Sequence, residues 1–120
     1  MIYIGNDIVE VSRIHSLLER YHNRFLDKNF SYNEIKIINQ KRFKSMHFAG
    51  KFSAKEASKK ALLSAGLAKD VYFKDIEILN ESSGAPYVQI KKIDMSLFKS
   101  FQVLISHTNY HATAIAIIEL

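Results

Sequence analysis

The stretch Phe48–Gly66, FAGKFSAKEASKKALLSAG, constrains this chain more than any other. It is rich in alanine, lysine and leucine, lacks proline, and so predicts one long helix, with Gly66 as its stop. At about 100° per residue, Phe48, Ala49, Phe52 and Leu63 fall in one sector of that helix. Glu56 projects into the same sector, and Lys59 and Lys60 flank it. A carboxylate among apolar side chains is costly unless something pairs with it. Two pairings are open: a salt bridge to a neighbouring lysine, or a metal ion held by Glu56 with lysines beside it for phosphate.

A chain of 120 residues is expected to form one domain, residues 1–120, with a single core. It has 17 Lys and Arg against 12 Asp and Glu, a net charge of +5, which favours an acidic partner: nucleic acid, anionic lipid, a phosphorylated ligand or an acidic protein. Cysteine is absent, which excludes disulfides, thiolate nucleophiles and thiolate metal sites. No apolar run approaches the roughly 20 residues that span a bilayer. The start, MIYIGNDIVE, lacks the basic segment and cleavage site of a signal peptide. A cytoplasmic protein that does not engage the membrane is the expectation.

The rest of the chain supplies the packing partners. Ile2–Val9 reads as a strand, with Gly5 allowing a bulge or a close backbone approach. Asp7 is out of place there, because Asp is depleted in strands; an Asn6-Asp7 turn is the plain alternative. Apolar residues at three- and four-residue spacing from Val11 to Phe25 predict a helix over about Glu10–Phe30. Arg13, Arg20 and Arg24 lie elsewhere on its surface, as a solvated face or a contact for an acidic partner. Ser31-x-x-Glu34 is a capping box and starts another helix, with Tyr32, Ile35 and Ile38 as its apolar contacts. Lys41, Arg42 and Lys44 form a basic cluster and a candidate anion contact. Phe73–Ile78 alternates as a half-buried strand, Glu81–Gly84 is a turn, and Tyr87–Ile90 is the return strand behind Pro86. Asp94–Ser100 suits one or two helical turns. Phe101–Ser106 and Ala112–Ile118 are strands around His107–His111. The last is apolar on both faces, which places it centrally or at a subunit interface. Helices packed on an antiparallel sheet give an α+β class.

Three features stand apart from core and turn: Asp7, Glu56 and Ser106-His107-Thr108. Two hard carboxylates without cysteine suit Mg²⁺, which binds through one or two carboxylates plus waters and substrate phosphates. Nothing in the spacing brings Asp7 to Glu56.

The chain resembles the holo-acyl-carrier-protein synthases, small bacterial 4′-phosphopantetheinyl transferases. The segments that carry the likeness are Gly5-Asn6-Asp7-Ile8-Val9-Glu10 with Arg13-Ile14, and Phe48-Ala49-Gly50-Lys51-Phe52-Ser53-Ala54-Lys55-Glu56-Ala57. Further on come Lys60-Ala61, Phe73–Ile78, Gly84-Ala85-Pro86, and Ile105-Ser106-His107-Thr108 with Tyr110 and Ala112. They occur in family order over almost the whole chain. The resemblance implies an α+β fold of the 4′-phosphopantetheinyl transferase type. It also implies Mg²⁺-dependent transfer of phosphopantetheine from coenzyme A to a serine hydroxyl of apo-acyl carrier protein, for fatty acid biosynthesis. The other product is adenosine 3′,5′-bisphosphate. Asp7 and Glu56 match the Mg²⁺ ligands, Lys60 the lysine directed at the pyrophosphate, and His107 and Thr108 residues near the adenosine and its 3′-phosphate. Arg13, with Arg20 and Arg24 after it, matches the helix that docks acyl carrier protein. The family assembles homotrimers with active sites at subunit interfaces.

Two departures accompany the match. Lys51, a further candidate for coenzyme A, stands where the family commonly has arginine and offers a point charge in place of a bidentate fork. Leu63-Ser64-Ala65-Gly66 replaces a glycine-threonine-glycine turn, and the loop to Phe73 runs one residue longer. No residue identifies the base that takes the serine proton. The rival from another class is a basic α+β module that binds RNA, but the expected strands lack the aromatic and basic interleaving of an RNA-binding sheet. An inactive structural relative is a third reading, and the intact Asp7, Glu56 and Lys60 set argues against it.

Overall fold

The elements follow in the order β1 (Ile2–Glu10), α1 (Val11–Asn29), α2 (Tyr32–Asn39), α3 (Lys44–Ser64), β2 (Ile76–Asn80), β3 (Pro86–Ile90), β4 (Ser100–His107) and β5 (His111–Glu119). This is the arrangement in a computed structural model that describes residues 1–120. Short 3₁₀ turns lie at Phe73–Asp75 and Met95–Leu97. Strands β1, β5 and β4 form an antiparallel sheet in that order, and β2 pairs with β3 in a separate hairpin. The class is α+β, as expected.

β5 takes the central position. Its pairing with β1 runs unbroken from Ile2 opposite Glu119 to Glu10 opposite His111. The bulge allowed for at Gly5 is therefore absent, and Asn6 and Asp7 remain in the strand instead of turning. The use of Gly5 is close approach: a Cβ there would overlap the Ala57 carbonyl oxygen and lie 2.7 Å from the Ala61 nitrogen. Helix α3 thus crosses β1 backbone to backbone. Ala112, Ala114 and Ala116 continue the small-residue floor on β5, each buried.

The sector of α3 that periodicity picks out is buried only at its start, where Phe48 and Ala49 pack toward α1 and α2; further along, a different arc is buried. Ala54, Ala57, Ala61 and Leu62 are buried between the two sheets, while Leu63 is 70% exposed and Glu56 is half-buried. Alanine wins these positions because a helix wedged between sheets must come close on most sides, which bulky side chains prevent. Glu56 therefore sits on the open side of the helix and is not stranded in an apolar face. The helix also begins earlier than read, at Lys44, and Gly66 follows its end with a φ of +75°, a conformation that favours glycine.

Two hydrophobic clusters flank α3. One joins it to both sheets; the other joins its first turns to α1 and α2 through Ile14, Phe25, Phe30, Ile38 and Phe48. Phe30 stacks edge-on to Phe25 at 5.8 Å and to Phe48 at 5.0 Å between ring centroids. Helix α1 bends at Tyr21, whose φ of −130° is not helical. Its first amide, Val11 N–H, donates to the Tyr110 carbonyl at 2.8 Å and ties the helix start to the β4–β5 turn.

The capping box of α2 forms as read, with the Ser31 N–H donating to Glu34 Oε1 at 2.8 Å. Tyr32, expected as an apolar contact, is exposed, whereas Ile38 is buried. The alternation read at 73–78 fails: 73–75 is a 3₁₀ turn, and Ile76, Glu77 and Ile78 are all buried. Glu77 tolerates burial because the Ser31 hydroxyl donates to it at 2.6 Å and the Asn33 amide at 3.3 Å. No helix is long and apolar enough to cross a membrane.

Candidate active site

The crossing of β1 over α3 gathers Asp7, Glu56 and Lys60 at one place. Along β1, Gly5, Asp7 and Val9 point to the same face, the one α3 covers. Glu56 and Lys60 are one turn apart on the open side of α3, each next to a residue whose backbone Gly5 touches, Ala57 and Ala61. Lys60 Nζ donates to the Asn6 carbonyl at 2.9 Å and to Asp7 Oδ1 at 3.3 Å. The Asp7 carbonyl is itself pinned from two sides, by the Thr113 hydroxyl at 2.8 Å and the Ser53 hydroxyl at 3.2 Å. These bonds fix the strand segment that carries the carboxylate.

Glu56 makes no salt bridge, so the ordinary pairing with a neighbouring lysine is not what holds it. Its carboxyl is held above the usual range first by burial and next by the negative charge of Asp7, with Lys60, Lys59 and Arg13 opposing. The two carboxylates are therefore close enough for their charges to interact. A hard divalent cation fits this donor set: two carboxylates on rigid elements, with the remaining positions open to waters and phosphate oxygens. These two are the only acidic residues there; no cluster of three His, Cys, Asp or Glu residues exists anywhere in the chain to form a closed metal cage.

Lys51 is not part of this cluster. Its ammonium is buried between α3 and the β2–β3 hairpin, where it donates to the Ile78 carbonyl and, at 3.1 Å, to Asn80 Oδ1. Burial lowers its pKa to about 8. In this chain Lys51 fastens the helix to the hairpin.

His107 and Thr108 lie at the other side of the sheet. His107 is opposite Ala112 on β4, and Ala112 is opposite Val9 on β1, so two strand spacings, about 10 Å, separate His107 from β1. Thr108 spends its hydroxyl on the hairpin turn, accepting from the Tyr110 and His111 N–H groups at 3.1 Å each. Near His107 stands His47, whose pKa is lowered by burial and then by the charges of Lys41, His107 and Lys51. Sequence reading flagged Lys41 within its basic cluster but missed His47, for which a lone histidine at the start of a helix gave no signal. One chain thus carries a carboxylate–lysine centre at the β1 edge and a basic group around His107 at the β4 edge.

Arg13, Arg20 and Arg24 are exposed on α1, and none is paired with a carboxylate. Arg24 lies 6.0 Å from the Tyr21 ring centre. Beside it a groove is lined by Tyr21, Arg24, Phe25, Lys28, Asn29 and Phe52, an apolar floor with a basic rim.

Comparison with known proteins follows the same lines. Residues 3–116 match the model of the 4′-phosphopantetheinyl transferase superfamily. A holo-[acyl-carrier-protein] synthase of Protochlamydia amoebophila is 41% identical over 116 residues, covering 95% of this chain and 94% of that protein. The crystal structure of the Helicobacter pylori holo-[acyl-carrier-protein] synthase in complex with coenzyme A superposes with a TM-score of 0.83 at 34% identity, covering 97% of this chain and 99% of that one. The Neisseria meningitidis synthase, 23% identical and covering the whole of both chains, shares the fold with a TM-score of 0.84.

Proposed function

The chain belongs to the 4′-phosphopantetheinyl transferase superfamily, and on that premise we propose that it transfers 4′-phosphopantetheine from coenzyme A to a serine of apo-acyl carrier protein. The observation that carries this reading is the convergence of Asp7, Glu56 and Lys60 at the β1–α3 crossing. In the reaction the serine oxygen forms a bond to the phosphorus bearing pantetheine, and that phosphorus loses its bond to the bridging oxygen of the pyrophosphate. Adenosine 3′,5′-bisphosphate leaves with the electron pair, and the serine proton is released. Fatty acid biosynthesis is the setting that a modified acyl carrier protein serves.

Asp7 and Glu56 would hold Mg²⁺, which when bound offsets the pyrophosphate charge and aligns it for attack. Lys60 is exposed enough to swing its ammonium from Asp7 toward an incoming phosphate. Its present partners, a carbonyl and a carboxylate oxygen, show that the site already balances charge with this side chain. His107, Thr108, His47 and Lys41 suit the adenosine end, with its 3′-phosphate. Arg13, Arg20 and Arg24 suit an acidic carrier protein and would raise the encounter rate.

The same reading makes the working form a homotrimer with its sites at subunit interfaces. The observations in support are that one chain leaves its two halves at opposite edges of the sheet, and that the outer sheet face is apolar. Ile4, Ile8, Leu104 and Ile115 are 60%, 67%, 66% and 45% exposed there, more than an isolated domain comfortably shows to water. That face also gives RNA bases no aromatic platform to stack on, so the RNA-binding reading gains nothing from it. A cytoplasmic setting accords with the substrates. The deciding experiment is incubation with coenzyme A, Mg²⁺ and apo-acyl carrier protein, read by intact mass. The carrier protein is expected to gain one phosphopantetheinyl group, with none transferred when EDTA is present. A carrier protein of unchanged mass in the complete mixture sinks the proposal.

A further inference from the structure

Gly5 has no side chain to bind anything, yet it is the most tightly enclosed of the four glycines. A Cβ at this position would penetrate the Ala57 carbonyl oxygen, lie 2.7 Å from the Ala61 nitrogen and lie 3.0 Å from the Lys60 Cβ. The first two obstacles are helix backbone, which cannot rotate aside as a side chain can. Each contact is next to a site residue: Asp7 is the next inward-facing residue on β1, Glu56 precedes Ala57, and Lys60 precedes Ala61. The distance between the strand carboxylate and the helix carboxylate is therefore set by how closely the two backbones approach, and Gly5 sets that approach. The neighbours reinforce it, since Ala116, the register partner of Gly5 on β5, is also buried under the helix.

We infer that Gly5 is a positioning residue for the Asp7–Glu56–Lys60 centre: it holds α3 close enough to β1 for both carboxylates to face one cation while Lys60 reaches Asp7. The inference rests on the metal-assisted transfer proposed above for the function of that centre, but its geometric half stands separately. A small displacement is enough to matter, because misplacement of a reacting group by about 1 Å can cost roughly 100-fold in rate.

Gly50 supplies the internal control. It lies on α3, and a Cβ there would meet only the Ile105 Cγ2, at 3.2 Å, a single side-chain methyl that has to give by a few tenths of an ångström, whereas Gly5 meets backbone. Gly5→Ala and Gly50→Ala are to be compared with wild type by Mn²⁺ titration followed by electron paramagnetic resonance, by kcat and coenzyme A KM, and by crystal structures. Gly5→Ala is expected to weaken Mn²⁺ binding about tenfold or more, to lower kcat more than it raises KM, and to widen the Asp7–Glu56 separation. Gly50→Ala is expected to leave all three near wild type. Should Gly5→Ala not fold, Ala116→Val lifts the helix from the adjacent strand by a smaller amount, and the same readouts apply. A folded Gly5→Ala, or Ala116→Val in its place, that keeps the wild-type separation and Mn²⁺ affinity overturns the inference. A wild-type chain that binds no Mn²⁺ overturns the metal reading instead, and the crystallographic separation in the variants then decides the positioning role by itself.

Discussion

Asp7 and Glu56 differ in how they are held. Asp7 has Lys60 as a counter-charge and a main-chain carbonyl anchored by two hydroxyls. Glu56 has no ion partner, and burial together with Asp7 raises its pKa. Both would serve one cation, so their losses should not add. Asp7→Ala and Glu56→Ala are each expected to slow transfer by roughly 10²–10³-fold, the scale of a lost transition-state charge stabiliser, with the double variant little worse than either. Circular dichroism should report an intact fold, and full activity in either folded single variant would refute the shared-ligand assignment. Lys51 makes a different prediction, about stability. Its pKa of about 8 lies below the ordinary 10.5. Below pH 8 it is charged in both states and the cost of burying it is present in full. Between about pH 8 and 10.5 the folded chain has released a proton that the unfolded chain still holds, so stability rises with pH, by about 1.4 kcal/mol for each unit of pKa difference at most. Urea midpoints measured from pH 7 to 10 should show that rise in wild type and a flatter profile in Lys51→Met.

At the scale of elements, α3 is held in place by charge as well as by alanine packing. Lys55, with Glu34, has a side chain of 0% exposure. Its Nζ donates to Glu34 Oε1 at 2.7 Å and to the Phe73 carbonyl at 2.9 Å, and also to the Ile76 carbonyl. Glu34 in turn accepts from the Ile78 N–H at 2.8 Å while it caps α2. One pair therefore binds α2, α3 and β2 together, from the residue next to Glu56. A buried ion pair contributes little net stability over an apolar pair, but breaking it leaves a charge without a partner. Lys55→Met should cost about 3–5 kcal/mol. Lys55→Met/Glu34→Gln should recover part of that, because glutamine keeps hydrogen-bonding capacity without the charge. Urea unfolding of the two singles and the double closes the cycle; a double variant as unstable as the sum of the singles would show that the two side chains act independently.

At the scale of the whole molecule, the exposed isoleucine face makes the proposed homotrimer testable. Light scattering should give a mass three times that of the chain. Ile4→Asp/Ile115→Asp should yield a folded monomer that no longer transfers phosphopantetheine. A wild-type monomer at micromolar concentration with activity retained would rule out the trimer. The helix α1 face gives the second test. Exposed arginines act at long range and are screened within about 10 Å at 0.1 M salt. Arg13→Glu is expected to raise the KM for apo-acyl carrier protein several-fold and flatten its salt dependence, while the KM for coenzyme A changes much less. Steady-state kinetics with each substrate varied in turn reads both. Because the Arg13 charge also reaches Glu56, Arg20→Glu is the cleaner companion, and a larger effect on coenzyme A than on carrier protein would refute the assignment of this face to the carrier protein.

What the sequence determined by itself is local. The capping box at Ser31 and Glu34, the long helix ending before Gly66, the hairpin turn at Glu81–Gly84 and the apolar last strand are each decided by a few neighbouring residues, whose backbone preferences and periodicity act over one or two turns. The same locality explains the misreadings. Periodicity groups Leu63 with Phe48 and Ala49, which are buried, yet Leu63 is exposed and the arc packed between the sheets is Ala54, Ala57, Ala61 and Leu62, because the space available there is set by strands far away in the chain. Nothing in the sequence shows that Lys51 and Lys55 are buried, because the elements that close over them, β2 and α2, are distant in the chain. Only the tertiary structure decided that Asp7 faces Glu56 and Lys60, since that depends on where one strand crosses one helix and on a backbone approach that glycine alone permits. The residue types could state which chemistry was available; the crossing decided which of them share a site.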